Sequence, residues 1–252
     1  MRLENKTALI TGAAGQLGCK LIEAFVSEGA NVWLADCSSS GVLIASRLVP
    51  SEQLLGTLVF DVTDQLAVKN AFLSIYQEGG SLDILVNNAG IGVFTSFWDR
   101  NYEDFLKVMS VNAGGTFLCT REALLLMKQV GQGSVVNIGS IYGLISSDPR
   151  IYTDSPRINS EAYSASKAAV IQLTKYFAVH AATFGIRVNC VSPGGIFNNQ
   201  GSDFVRNYSY RTPMTRMATA VEVCGAVTFL ASSEASYITG QNIIVDGGYT
   251  AW

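Results

Sequence analysis

The chain has a single histidine, His180, which lies in a helical stretch with no second imidazole near it in sequence, so no histidine-based metal site is expected and none is assigned. Its five cysteines, Cys19, Cys37, Cys119, Cys190 and Cys224, are scattered and odd in number, and none forms a CxxC pair. That spacing excludes a zinc ribbon or a disulfide framework and fits free thiols in a reducing cytoplasm, the expected compartment. Charge is sparse: 17 Lys and Arg stand against 20 Asp and Glu, a formal net charge of -3, with no basic cluster. Nucleic acid and anionic membrane are therefore poor partners, and a small molecule is the better one. No apolar run is long enough to cross a bilayer, and charged Arg2, Glu4 and Lys6 lead straight into an apolar strand without room for a signal peptide.

What the chain does have is apolar bulk, 48% of 252 residues, undivided by charge blocks or low-complexity tracts, which is enough for one large core and one domain spanning residues 1–252. Short β-branched and apolar runs alternate with longer amphipathic segments. This is the pattern of an α/β fold, a parallel sheet covered by helices on both faces. Seven strands are expected at 7–11, 31–35, 54–60, 84–87, 134–139, 187–192 and 242–245, and the clearest helices at 16–28, 64–77, 102–127, 162–184 and 220–231. Residues 195–217, rich in Asn, Ser, Tyr and Arg, break the alternation at the carboxyl end of a strand, where open α/β sheets bind ligands. A substrate lid is expected there, with a plain surface insertion as the alternative.

Tyr163 and Lys167 stand four residues apart in a segment that reads as helix and so share one face. Lowering a tyrosine pKa from about 10 toward neutrality takes roughly 4 kcal/mol of preferential phenolate stabilisation, part of which an adjacent ammonium supplies. Alone, the pair is only two amphipathic side chains; its context makes it chemical. Thr11-Gly12-Ala13-Ala14-Gly15-Gln16-Leu17-Gly18 closes the first strand and opens the first helix, where free N–H groups and the helix dipole receive a pyrophosphate. Asp36 follows the second strand, 18 residues beyond Gly18, placed to accept from ribose hydroxyls and to repel a 2′-phosphate. Cys37 comes next instead of a basic residue, so the expected cofactor is NAD, with NADP disfavoured. A turn or N-cap role is the alternative for Asp36.

With these motifs the chain resembles the short-chain dehydrogenase/reductase family from about Lys6 to Gly248. The further motifs, in order, are Asp61-Val62, Asn87-Asn88-Ala89-Gly90, Asn112, Ser140, Pro193-Gly194 and Asp246-Gly247-Gly248. The resemblance implies a single-domain doubly wound Rossmann fold. It implies adenine contacts from Asp61 and Val62, a cofactor pocket lined by Asn88, Ala89 and Gly90 and closed by Pro193 and Gly194, and Ile196 at the nicotinamide carboxamide. It also implies a tetrad of Asn112, Ser140, Tyr163 and Lys167. Tyr163 exchanges the alcohol proton, and Lys167 lowers the phenol pKa and holds the nicotinamide ribose. Ser140 donates to the substrate oxygen, and Asn112 supports a water linking Lys167 to solvent. Two departures stand out. The glycines are spaced T-G-x-x-G-x-x-G where short members usually have T-G-x-x-x-G-x-G, which leaves the job of Gly15 open, and Asn198 stands where many relatives have threonine.

Between Ser140 and Tyr163 lie 22 residues, more than the family usually has, including Asp148-Pro149-Arg150 and Ser155-Pro156-Arg157. Arg150 and Arg157, with Arg206, Arg211 and Arg216 around the expected lid and Asn198 nearby, suggest a polar, anionic substrate such as a sugar phosphate, nucleotide sugar or sugar acid. The alternative is that these arginines pair with Asp148, Asp154, Glu161 and Asp203 at a subunit contact. The combination loosely resembles the subgroup of surface-sugar and flagellin modification. The rival activities are reduction of a 3-oxoacyl carrier protein, and NAD(H) sensing without turnover. By resemblance a homodimer or homotetramer is expected, through the helices bearing Asn112 and Tyr163 and through the last helix and strand, with Tyr249 to Trp252 suited to burial against a neighbour or, as the alternative, to packing as an intramolecular tail.

Overall fold

A computed structural model describes residues 1–154 and 157–252; Ser155 and Pro156 of the expected insertion lie outside the described residues. Seven strands, β1 (Thr7–Thr11), β2 (Asn31–Asp36), β3 (Leu54–Val59), β4 (Ile84–Asn87), β5 (Gly133–Ile138), β6 (Ile186–Pro193) and β7 (Asn242–Val245), form one sheet. The sheet is parallel throughout, in the order β3-β2-β1-β4-β5-β6-β7. The order reverses between β1 and β4, which opens a crevice at their carboxyl ends.

Among the described residues the α-helices are α1 (Gln16–Ser27), α2 (Ser39–Ser46), α3 (Gln65–Gly79), α4 (Tyr102–Met109), α5 (Thr116–Val130), α6 (Glu161–Ala181), α7 (Ser202–Arg211) and α8 (Ala220–Ala231), most of them packed on the sheet. The two-residue strand period divides the core. Ala8, Ile10, Val32, Leu34, Val86 and Val136 face the α1 and α8 side, whereas Leu9, Trp33, Leu85 and Val135 face the side of α3, α5 and α6. Among the described residues, no helix is long and apolar enough to cross a membrane.

Three departures from the sequence expectation position the site. The expected helix 102–127 is interrupted by a π-helical stretch, Ser110–Gly115, which carries Asn112. Such stretches shift the side chains that follow them and recur at functional sites. Residues 195–217 are not structureless, because they contain α7. That helix has Gly201 at its N-cap and no capping side chain of its own, and the missing cap comes from Asp154, whose Oδ2 accepts from the Phe204 N–H at 3.2 Å. Glycine at 201 makes room for this cap, since a Cβ there would stand 2.1 Å from the same carboxylate oxygen and would displace it. Finally, the Ser-rich α2 forms beyond β2, capped by Ser38.

A buried polar chain crosses the interior beneath the crevice. Asn87 Nδ2 donates to Thr120 Oγ1 (2.9 Å) and Asn137 Oδ1 (2.8 Å), and Asn137 Nδ2 donates to Thr174 Oγ1 (2.9 Å). It ties α5, β4, β5 and α6 together with its members paired, as a buried network must be.

Candidate active site

The glycine turn is built around a close approach of the chain to itself. A Cβ on Gly18 would meet the Gly12 carbonyl oxygen at 2.2 Å, so α1 can start against the turn only with glycine there. Gly15 is different: it caps α1 in extended conformation, and a Cβ would stand 3.3 Å from the same oxygen, a contact that is tight but not excluded. The unusual spacing therefore leaves Gly12 and Gly18 as the structural requirement. α1 has no side-chain cap at its N-terminus, which leaves its first backbone N–H groups without a capping side chain where Gln16 and Leu17 line the crevice. Asn88 holds the turn from below, donating to the Thr11 and Gly12 carbonyl oxygens at 3.1 and 2.9 Å, while the Ala89 N–H donates to Thr11 Oγ1.

Asp36 ends β2 with one oxygen accepting from the Ala14 N–H and the other from the Ser38 N–H, both at 3.0 Å. It thus braces the turn, as the alternative reading had it, and also lines a cavity with Gly12, Cys37, Asp61, Val62 and Gly90. Asp61 is occupied locally by Thr63, and Val62 packs on Gly115. Lys107 of α4 also lines this cavity, a residue that the sequence pattern does not single out. The uncapped helix start, the Gly18 approach and the acidic floor together fit a dinucleotide.

That cavity continues past Gln16, Leu17, Asn88, Gly90 and Ile91 into a second one of about 420 Å³, which contains Ser140, Tyr163 and Lys167 along with Pro193, Gly194, Ile196 and Asn198. Tyr163 and Lys167 project from α6, whose N-terminus is fixed by Ser160 Oγ accepting from the Tyr163 N–H at 3.1 Å. Lys167 Nζ is buried, 5.7 Å from the Tyr163 ring centroid, and donates to the Ile138 carbonyl at 2.7 Å. β4 stops at Asn87, opposite Asn137, so the next carbonyl along β5 is taken by the ammonium instead of by a strand. Burial lowers the Lys167 pKa to about 8, with the nearby Cys190 thiol pulling the other way. Burial also pushes the Tyr163 phenol up, against which the hydrogen bond with Ser140 pulls down. Within the protein alone the phenol thus moves in the direction opposite to the one that acid/base work near neutrality requires.

Asn112, buried on the π-helical stretch, accepts from the Ile91 N–H at 2.8 Å, donates to the Ile91 carbonyl at 2.9 Å, and also donates to Ser166 Oγ at 2.9 Å. Its side chain joins the segment after β4 to α6, one residue from Lys167.

The arginines divide. Arg150 lies outside the cavity, its side chain 82% exposed and bonded in bidentate fashion to Asp148, which accounts for its absence from the candidate substrate wall. Arg211 also pairs with Asp148, Arg206 with Asp203 and Arg216 with Glu222. These two guanidinium groups hold the Asp148 carboxyl well below the usual carboxylate range, that of Arg150 first. Arg157 does line the cavity, its guanidinium 3.9 Å from the Phe94 ring centroid. The remaining wall was hidden in the sequence: Tyr152, Asp154 and Asn159 from the insertion, and Phe204 and Tyr208 from α7. Tyr249 is not offered to a neighbour but is buried within the chain, stacked on Tyr208 at 4.7 Å between ring centroids.

A doubly wound sheet with a dinucleotide cradle leading to a Tyr, Lys and Ser cluster defines an oxidoreductase that uses a nicotinamide cofactor. Comparison with known proteins sharpens this. A family profile described as enoyl-(acyl carrier protein) reductase matches residues 12–250. The chain is 37% identical to 3-oxoacyl-[acyl-carrier-protein] reductase FabG of Thermotoga maritima, over 98% of this chain and 99% of that one. It is 35% identical to a 3-alpha-(or 20-beta)-hydroxysteroid dehydrogenase of Mycobacterium tuberculosis, over 99% and 91%. Among solved structures, a short chain dehydrogenase of Leptospira borgpetersenii with bound NAD+ superposes with a TM-score of 0.89 at 43% identity, covering 99% of this chain and 94% of that one. A gluconate 5-dehydrogenase of Burkholderia cenocepacia in complex with NADP and tartrate gives 0.90 at 30% identity, covering 100% and 97%. The chain belongs to the short-chain dehydrogenase/reductase family and is an oxidoreductase acting on CH–OH groups.

Proposed function

We propose that the protein is an NAD-preferring dehydrogenase that interconverts a secondary alcohol and a ketone on a polar, anionic substrate, with a sugar acid or related hydroxy acid fitting best. The observation that carries this reading is Asp36, a carboxylate on the cavity floor next to Cys37, where a 2′-phosphate would meet negative charge. When bound, the nicotinamide supplies the hydride acceptor or donor. Tyr163 exchanges the proton with the substrate oxygen, and Ser140 donates to that oxygen as its charge changes. Lys167, held on the Ile138 carbonyl, stabilises the phenolate and holds the cofactor ribose. Phenolate formation in turn favours the charged Lys167, so the two titrate as a pair. Asn112 fixes the segment at Ile91 and the α6 face at Ser166, the frame in which Lys167 sits.

On the substrate side, Arg157 supplies positive charge at a cavity wall that is otherwise aromatic and polar, while residues 195–217 form a lid over it. Tartrate in the gluconate 5-dehydrogenase neighbour supports a hydroxy-acid ligand in a relative of this fold. Exposed Tyr102, Leu106, Leu125, Tyr176 and Val179 on α4, α5 and α6 support a homodimer or homotetramer. A second reading, reduction of a 3-oxoacyl carrier protein, is favoured by the identity with the Thermotoga maritima reductase. Separate titrations with NADH and NADPH, followed by nicotinamide fluorescence in the wild type and in Asp36→Ala, test the proposal. Tighter NADH binding that loses its preference in the variant supports it, whereas NADPH preference in the wild type sinks it and moves ketone reduction to first place.

A further inference from the structure

Among the described residues, three buried side-chain polar atoms have no hydrogen-bond partner: Trp33 Nε1, the Tyr249 hydroxyl and Asn159 Nδ2. Of these residues only Asn159 lines the cavity that holds Ser140 and Tyr163. A buried amide left unpaired is unfavourable, and native proteins keep one where another partner satisfies it or where it has work to do. The residue is 6% exposed, and its surroundings make chance a poor account. Its carbonyl accepts from the Ser147 hydroxyl at 3.5 Å, a long bond, and Tyr152 lines the same cavity. The amide nitrogen is thus buried beside the cavity without a protein partner. Asn159 immediately precedes Ser160, the cap of α6 that binds the Tyr163 N–H, so its position is set relative to the reacting phenol by one turn of capped helix. The residue also forms part of an outer groove with Arg100, Leu144 and Glu161, and so stands in the partition between the cavity and that groove.

We propose that the Asn159 side-chain amide is a specificity-determining group that binds a second oxygen of the substrate, a hydroxyl or carbonyl close to the reacting carbinol. The inference rests on the alcohol-dehydrogenase reading of the same site and narrows it to polyols, hydroxy acids and hydroxy ketones. An amide suits this role because it both donates and accepts, as a hydroxyl does, so it can satisfy an OH in either sense. Plain cyclic alcohols and lipophilic substrates would leave it unpaired, and a site built to bond an oxygen discriminates against the analogue that lacks it.

The test is oxidation of matched pairs, cyclopentanol against its vicinal diols and cyclohexanol against its vicinal diols, by wild type, Asn159→Leu and Asn159→Ala, with NAD⁺. The readout is the ratio of kcat/KM for diol over mono-ol, with NADH fluorescence and thermal melting showing that each variant is folded. The wild type is expected to favour the diol, and the ratio to fall about threefold to tenfold in both variants, the discrimination worth one neutral hydrogen bond. If Asn159→Leu does not fold, Asn159→Ala, which adds no bulk, decides alone. An unchanged ratio in a folded variant overturns the assignment while leaving the dehydrogenase reading intact. Failure of the wild type to oxidise any mono-ol or diol overturns the polar-alcohol reading and the role of Asn159 with it.

Discussion

Replacing Lys167 with methionine should stabilise the free protein while removing its turnover. Burial lowers the Lys167 pKa from 10.5 to about 8, and at 1.36 kcal/mol per pKa unit the charged form costs roughly 3 kcal/mol at neutral pH. Methionine keeps the length of the side chain and avoids that cost. It forfeits the bond to the Ile138 carbonyl, which strands a buried acceptor at about 1–2 kcal/mol. The net gain is about 1–2 kcal/mol, or roughly 2–8 °C in Tm for a domain of this size. The sign is set by proton linkage. Because the folded pKa lies below the unfolded one, the wild type gains stability as pH rises from about 8 through 10.5, whereas the variant has no such group. Tyr163, whose pKa is raised, stays neutral over most of that window. Thermal melts of both proteins at pH 7 and pH 10 would therefore show a gap in favour of the variant that narrows at the higher pH. A variant less stable at pH 7, or a gap independent of pH, refutes the argument that burial of charge governs this lysine.

Gly18→Ala should displace α1 from the turn, since its Cβ would press on backbone and not on a yielding side chain, and NADH affinity measured by fluorescence should fall at least about tenfold. In Gly201→Ala the new methyl evicts the Asp154 carboxylate from the start of α7. The lost cap costs about 1 kcal/mol and should appear as faster amide exchange across 202–211 and a raised substrate KM. Arg157→Ala should raise KM for hydroxy acids more than for neutral polyols, whereas Arg150→Ala, removing a group already paired with Asp148, should leave both values near wild type in steady-state assays. Thr174→Val leaves the Asn137 amide without its acceptor inside the core, and a loss of about 1–3 kcal/mol should register in denaturant unfolding.

The sheet was readable from the sequence because apolar runs such as Asn31–Asp36 and Ile186–Pro193 need burial on both faces, and only helices on either side provide it. The glycine turn was readable because its requirement is local: glycine where backbone meets backbone at Gly18, and a carboxylate at the end of β2. What escaped depended on distant partners. Helix α7 has few apolar residues and no cap of its own, and it forms because Asp154, some fifty residues earlier, caps it while Phe204 and Tyr208 join a cluster with Ile151 and Tyr249. Arg150 and Arg157 look alike in sequence; only the fold turns one toward Asp148 and the other into the cavity. The π-helical stretch at Asn112 follows from the way Asn112 bonds across to Ile91 and Ser166, which helical periodicity does not record.

The polar chain beneath the crevice makes the docking of α6 a lock with two keyed wards. Thr174 meets Asn137 and Lys167 meets Ile138 from positions seven residues apart on one helical face. A slip of one residue would rotate that face by about 100° and break both engagements at once. A molecule assembled in the wrong register would thus lose the placement of Lys167 in the candidate site and the pairing of the buried Asn137 amide together.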